Sequence, residues 1–365
     1  MNGSTAVDKV LGPLESDHKQ ARATIISLMR GAFSCPVVAT LADLGMTEQM
    51  LAGSFSVDDF KSVKNPSALG AIFIYLLSID LLAKTEDGCY QLTADGRRVF
   101  QRSGGFLLLH SYRDYFSNLG KLLRDEDQGL CVDRLHNVLG SGSLHSRKFF
   151  PAAWTLLRGN APHALIDIGC GDGQFLQLAC SEFSTLEIAA IDVSPIAVET
   201  TLQRLRTVAI SAVTGVVASG EDIDLWLTKL PEVIRLSPCP IISMWFVVHE
   251  FSRGDTGRVI RFFQQLRANF PSAEILLGEI IAVPPDLLAL NRNSSIMPEY
   301  LLFHALSHQG VLSWEAWRSI LDAIPYELIG EQCFDPVEAG TGQAIPSSFL
   351  WHLKPLKQPT AVLAG

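Results

Sequence analysis

Apolar and polar residues follow two rhythms along this chain, one in each half. In the first half the apolar positions fall at helical spacing. Ala21, Ile25, Leu28, Met29, Ala32 and Phe33 mark a helix within the segment from His18 to about Leu51, and Pro36 to Leu44 reads as a second, short helix ending at Gly45. Met1 to Asp17 reads as a loose arm. Phe55 to Lys64 opens on the polar Ser56-Val57-Asp58-Asp59, and Asn65-Pro66-Ser67 caps an apolar helix from Ala68 to Ile79. Leu81 to Lys84 and Tyr90 to Leu92, joined through Glu86-Asp87-Gly88, spell a hairpin. Thr93 then caps a helix from Ala94 to Phe100. Helices followed by a hairpin predict a winged-helix arrangement. Gly104 to Arg124 reads as one long helix, and Gly140 to Ser143 as a flexible break before a helix over Phe149 to Leu157.

In the second half, short apolar runs alternate with helical segments. The runs are Ala164 to Ile168, Leu186 to Ile191, a third ending in the polar turn within Val216 to Asp224, Ile241 to Val248, and Ala273 to Ile281. Helices are predicted over Gly257 to Ala268, Pro298 to His308, and from the Ser313 cap to Ala323. Tyr326 to Cys333 and Ser347 to Leu353 supply two last strands. This alternation specifies an α/β fold with a seven-stranded, mostly parallel sheet, whose final hairpin inserts one antiparallel strand.

The sheet is organised around Ala164-Leu165-Ile166-Asp167-Ile168-Gly169-Cys170-Gly171-Asp172-Gly173-Gln174. A buried strand runs into a glycine turn and a helix start, whose free N–H groups point at whatever binds there. A dinucleotide fingerprint would need glycine at position 174, which is Gln174. The spacing is instead G-x-G-x-G, with Asp167 two residues ahead, where a carboxylate suits an ammonium rather than a pyrophosphate. Asp192 closes the second strand, where a carboxylate can accept both hydroxyls of a ribose. Glu221 or Asp222, after the third strand, can receive an adenine amino group. The stretch resembles motif I of the class I S-adenosylmethionine (AdoMet)-dependent methyltransferases. The resemblance implies AdoMet as cofactor, bound by Asp167, Gly169, Gly171, Gly173, Asp192, Glu221, Asp222 and Trp245.

Composition narrows the partners. The 365 residues carry a net charge of -9, and Asp58, Asp59, Asp80, Glu86, Asp87 and Asp95 make the winged-helix segment acidic, which argues against nucleic acid. No uninterrupted apolar run approaches ~18 residues, so no membrane partner is expected, and no signal-peptide core opens the chain. The seven cysteines include no C-x-x-C pair and read as reduced thiols of a cytoplasmic protein.

Two stretches speak to chemistry. Trp245-Phe246-Val247-Val248-His249-Glu250 lies at the carboxyl end of the fourth strand, where ligands of open α/β sheets sit. His249-Glu250 resembles the histidine–acid pair of small-molecule O-methyltransferases, which implies His249 as general base for a hydroxyl. The second stretch, His304-x-Leu306-Ser307-x-Gln309, is similar to bacterial 2-oxo-acid C-methyltransferases of the phenylpyruvate and 2-ketoarginine type. That resemblance implies a metal held by His249 and His304, for which Fe or Zn suits neutral imidazoles. His308 competes with His304 for this role. The two family resemblances also imply an N-terminal domain over 1–105 that makes a homodimer, a helical linker over 106–160 that roofs the substrate pocket, and an AdoMet domain over 161–365. Arg113 and Arg134 in the linker are candidates for a substrate carboxylate. Glu279 and Tyr300 are possible proton acceptors or polar groups of the pocket. His18, His110, His136, His145, His163 and His352 read as surface or structural. The first expectation is C-methylation at the β-carbon of a 2-oxo acid such as 2-ketoarginine. The alternative is a metal-free O-methyltransferase of a phenolic or polyketide natural product, with His249 as base. A third reading, from another class, is a regulatory winged-helix protein that senses AdoMet.

Overall fold

A computed structural model describes residues 6–126, 129–157, 162–183, 185–208, 213–290, 295–338 and 344–357. The chain divides into two compact units, Met1–His110 and Ser111–Gly365. The segment expected as a separate linker thus falls mostly within the unit that holds the sheet.

In the first unit one helix, Ala6–Asp43, replaces the expected arm, helix and second helix. It continues through Pro36, where a proline costs about 3 kcal/mol. Burial of Val38, Ala39 and Leu41 in the unit's core offsets that cost. Residues Met1 to Thr5 of the expected arm lie outside the described residues. Asn65 accepts from the Ala68 N–H at 3.1 Å and starts helix Pro66–Ser78. The hairpin forms from β1 (Leu82–Lys84) and β2 (Tyr90–Leu92), paired Leu82 to Leu92. The Thr93 hydroxyl caps helix Ala94–Phe100. Within the long helix, the stretch Gln20–Asp43 is long and apolar enough to cross a membrane by length and composition, with 17% of its apolar window buried. Leu28 and Phe33 are 71% and 63% exposed. The apolar content expected to stay below a membrane span therefore has one exception.

In the second unit the sheet contains β3 (Ala164–Ile168), β4 (Glu187–Asp192), β5 (Val213–Val217), β6 (Pro240–Trp245), β7 (Glu274–Ile280), β8 (Tyr326–Phe334) and β11 (Ser348–Pro355). β9 (Val337–Glu338) and β10 (Ala344–Ile345) form a separate short ladder. The sheet order is β5-β4-β3-β6-β7-β11-β8, with β11 antiparallel to both neighbours. β3 and β6 lie at the centre and are buried along their whole length. Edge strand β8 instead alternates half-buried and exposed positions after a buried Tyr326. Alternate residues of β3 feed two cores: Ala164, Ile166 and Ile168 enter one, and Leu165 enters the other.

Two helical expectations change. Gly104 to Arg124 breaks into Ser103–Ser111, Arg113–Ser117 and Leu119–Leu122. The Asn118 side chain donates to the Asp114 carbonyl at 2.8 Å, and Asn118 leaves helical geometry at φ -119° and ψ 23°. Conversely, Gly140 to Ser143 is no break. It lies inside helix Arg134–His145, capped by Asp133. Gly142 is small there because a Cβ would sit 2.5 Å from the Asp172 carboxylate.

Candidate active site

The strand ends and helix Arg134–His145 enclose a cavity of about 270 Å³. Asp167, Gly169, Gly171, Asp192, Glu221 and Trp245, all expected site residues, line it. Gly171 turns the chain at φ +55°, and its N–H donates to Asp192 Oδ2 at 3.1 Å. The other Asp192 oxygen accepts from the Ser194 N–H at 2.8 Å. Asp167 Oδ1 accepts from the Ser243 hydroxyl at 2.6 Å, across the β3–β6 register. Its Oδ2 is buried and, among the described residues, has no partner; the same holds for Trp245 Nε1. An unsatisfied buried carboxylate oxygen and indole N–H in a cavity wall are what a polar ligand would complete. Burial pushes the Asp167 carboxyl up to about 7, with the Asp192 charge adding to it, and burial likewise pushes Asp192 up to about 6. Burial is the first cause of both shifts, and a bound positive charge beside these acids would oppose it. Glu221 is already engaged, because Arg258 grips its two oxygens at 2.7 and 2.5 Å. Asp222 precedes helix Ile223–Leu227 and is not part of the wall. Gly173 packs against Thr201, where a Cβ would lie 2.9 Å from the side chain.

Beside this cavity the chain leaves β6 through Phe246 at φ 56°, whose N–H donates to the Gly278 carbonyl at 2.8 Å. The fourth strand therefore ends at Trp245, not at Val248, and helix Val248–Ser252 begins. This turn aims the helix at Glu279, near the end of β7. Glu279 Oε1 accepts from the Val248 and His249 N–H groups at 2.7 and 3.4 Å, and Oε2 accepts from His249 Nδ1 at 2.9 Å. Both side chains are buried. The acid that holds His249 is thus Glu279 and not its sequence neighbour. Consecutive helical residues point apart, and Glu250 instead meets Arg134, with Nη1 3.2 and 3.3 Å from its oxygens. Arg134 and Glu250 both line the cavity. Arg113 does not: it pairs with Asp133 at 2.7 Å and is half exposed.

His304 is brought to His249, with the two Nε2 atoms 3.0 Å apart. His304 Nδ1 donates to the Tyr300 carbonyl at 2.7 Å, so its Nε2 is a lone-pair acceptor. Burial, aided by the nearby His249 charge, lowers the His304 pKa to about 2. For His249 burial works downward too, but the Glu279 carboxylate outweighs it and the net shift is upward. The pair is one proton-holding imidazole facing one neutral imidazole. His308 is exposed in a left-handed turn at φ 58° and takes no part.

His145 departs from its structural assignment. It lines the cavity, stacked on Phe246 at 3.8 Å and 6°. Arg134, Val138, Ser141, Gly142 and His145 share one helical face along the wall, and continuing the helix through Gly140–Ser143 would have found it.

No protein-family model matches the chain, and no curated protein matches it. Solved structures do. The mitomycin 7-O-methyltransferase MmcR aligns with a TM-score of 0.62 at 12% identity, over 93% of this chain and 99% of its own. CalO1, a methyltransferase in calicheamicin biosynthesis in SAH-bound form, gives 0.55 at 13% identity, over 92% and 98%. The N,N-8-amino-8-demethyl-D-riboflavin dimethyltransferase RosA from Streptomyces davawensis gives 0.51 at 13%, over 92% and 99%. The chain has the class I methyltransferase fold with an N-terminal helical unit, as the strand order alone implies.

Proposed function

We propose that the protein transfers a methyl group from AdoMet to an oxygen atom of a small-molecule acceptor, with His249 as the general base. The observation that carries this reading is the buried Glu279–His249 pair beside the cavity. Glu279 keeps a proton on Nδ1, so once His249 has released the Nε2 proton it presents to His304, Nε2 offers the lone pair that takes a hydroxyl proton. The acceptor oxygen then bonds to the methyl carbon as the carbon–sulfur bond breaks, and sulfur leaves as a neutral thioether. Much of the acceleration comes from holding oxygen, methyl and sulfur in line. Arg134 can hold an acceptor carboxylate and Glu250 an acceptor cation. The names of MmcR and RosA, an O- and an N-methyltransferase, support a heteroatom acceptor over carbon.

One observation favours a second reading. The His249 Nε2 faces His304 rather than open space, so a hydroxyl reaching it must displace the His304 ring. Two imidazoles with Nδ1 anchored on a carboxylate and a carbonyl, and with Nε2 atoms converging, also fit the second-shell pattern of metal-ligating histidines. Among the described residues no cluster of three or more His, Cys, Asp or Glu could hold a metal, so the rest of the coordination shell would come from substrate and water. Bound Fe or Zn would act as a Lewis acid for the keto oxygen of a 2-oxo acid, whose β-carbon would be methylated. The two readings separate on metal content and turnover of wild type beside His304→Ala, on a panel of phenols and 2-oxo acids. The oxygen reading expects phenol turnover indifferent to chelator. Stoichiometric metal that disappears in His304→Ala, with turnover only of 2-oxo acids, decides for carbon.

We also propose that the exposed apolar residues of the stretch Gln20–Asp43, Leu28 and Phe33 among them, pair with a second copy of the chain. A Leu28→Asp/Phe33→Asp variant is then expected to run at half the wild-type mass in light scattering. A wild type that is already monomeric removes this proposal.

A further inference from the structure

We infer that the backbone of Gln309 and Gly310 is a clasp that sets the separation of the two imidazoles, with Gly310 a positioning residue for the site. The main-chain N–H of Gln309 donates to the His304 carbonyl at 2.9 Å. The next N–H, that of Gly310, donates to the His249 carbonyl at 3.1 Å. Two consecutive amides thus bind the carbonyls of the two histidines, which lie 55 residues apart in sequence. The chain enters this crossing through His308 at φ 58°. It then passes so close to Arg253 and Gly254 that a Cβ on Gly310 would sit 2.0 Å from the Arg253 carbonyl carbon and 1.8 Å from the Gly254 nitrogen. Only glycine permits that approach. Two residues later the Leu312 carbonyl accepts from the Ala282 N–H at 2.8 Å. The strand that carries Glu279 is thereby tied to the same run of backbone.

Each imidazole is also held locally, His249 by Glu279 and His304 by the Tyr300 carbonyl. Those bonds orient each ring but do not set the distance between them. Among the described residues, the main-chain hydrogen bond that joins the two segments is the one from Gly310 to the His249 carbonyl, and sites that act as a unit lose function when misplaced by about 1 Å. The inference rests on the imidazole pair and holds whichever atom is methylated.

Two variants test it. Gly310→Ala forces the crossing apart, and a single glycine inserted between Gln309 and Gly310 lengthens it without adding a Cβ. Crystal structures of wild type and both variants would be compared, with S-adenosylhomocysteine affinity measured by calorimetry. The expected result is an Nε2 separation larger by about 1 Å or more in both variants, with cofactor affinity within about threefold of wild type. An unchanged separation in the insertion variant overturns the clasp, as does a cofactor affinity that falls in step with the separation, which would mark general loss of fold. Hydrogen exchange on the wild type gives a check that needs no variant. The Gln309 and Gly310 amides are expected to be protected, and rapid exchange at both rejects the clasp. Failure of the AdoMet reading shows separately, as a wild type that does not bind S-adenosylhomocysteine.

Discussion

Replacing His249 with alanine is expected to lower methyl transfer by about 10²- to 10⁴-fold, the range for loss of a positioned general base. AdoMet affinity should stay close to wild type, because His249 is not part of the cavity wall proposed to hold the cofactor. S-adenosylhomocysteine release over an acceptor panel, with calorimetry for the cofactor, measures both quantities. Glu279→Gln should cost less, about 10- to 100-fold, since it weakens the hold on Nδ1 without removing the imidazole. It also weakens the cap on helix Val248–Ser252, where Glu279 Oε1 accepts from two N–H groups. The pH profile has a defined sign. The Glu279 charge holds the His249 pKa above its ordinary 6.5, so the imidazole is protonated at lower pH and useless as a base. Turnover should therefore rise with pH through a midpoint above 6.5, and that limb should vanish from the residual activity of His249→Ala. A variant retaining most of the wild-type rate would show that His249 neither takes the proton nor organises the site.

The part of the candidate site built on the glycine turn was legible as geometry because its constraints are local. A buried strand, a G-x-G-x-G turn and a carboxylate at the next strand end are spaced by the geometry of one β-α-β unit, so residue order carries them. The acceptor half joins segments far apart in sequence, and there neighbourhood misleads. Glu250 stands next to His249 in sequence, yet the helical turn sends it to Arg134, and the true partner Glu279 arrives from the adjacent strand. Arg113 reads as an unclaimed cation, but Asp133, 20 residues on, holds it. Gly140–Ser143 reads as a break because glycine and serine are weak helix formers. Tertiary context decides otherwise, since close packing against Asp172 requires a residue without a Cβ. The pairing of His249 with His304 came from family resemblance. Nothing in their spacing announces that the two rings meet.

Asp167→Asn is expected to weaken AdoMet binding by about 10- to 150-fold, the equivalent of a hydrogen bond to a charged group worth about 1.5–3 kcal/mol. Its Oδ2 is buried and, among the described residues, unpartnered, so the ligand is the remaining source of a donor. The pH dependence makes the test specific. In the free protein burial raises the Asp167 carboxyl to about 7, so below that pH it carries a proton. A cationic ligand needs the ionised form, and binding must then expel the proton. Wild-type affinity should fall as pH drops below about 7, approaching tenfold per unit for one proton, and more steeply below about 6, where Asp192 also protonates. In Asp167→Asn the loss between pH 7 and 6 should disappear while the lower limb from Asp192 remains. Calorimetric titration with AdoMet at pH 5.5, 6.5 and 7.5 resolves the two limbs. A wild-type affinity that is flat across this range would mean that Asp167 does not face the ligand's positive charge, and the orphaned oxygen would then need another occupant.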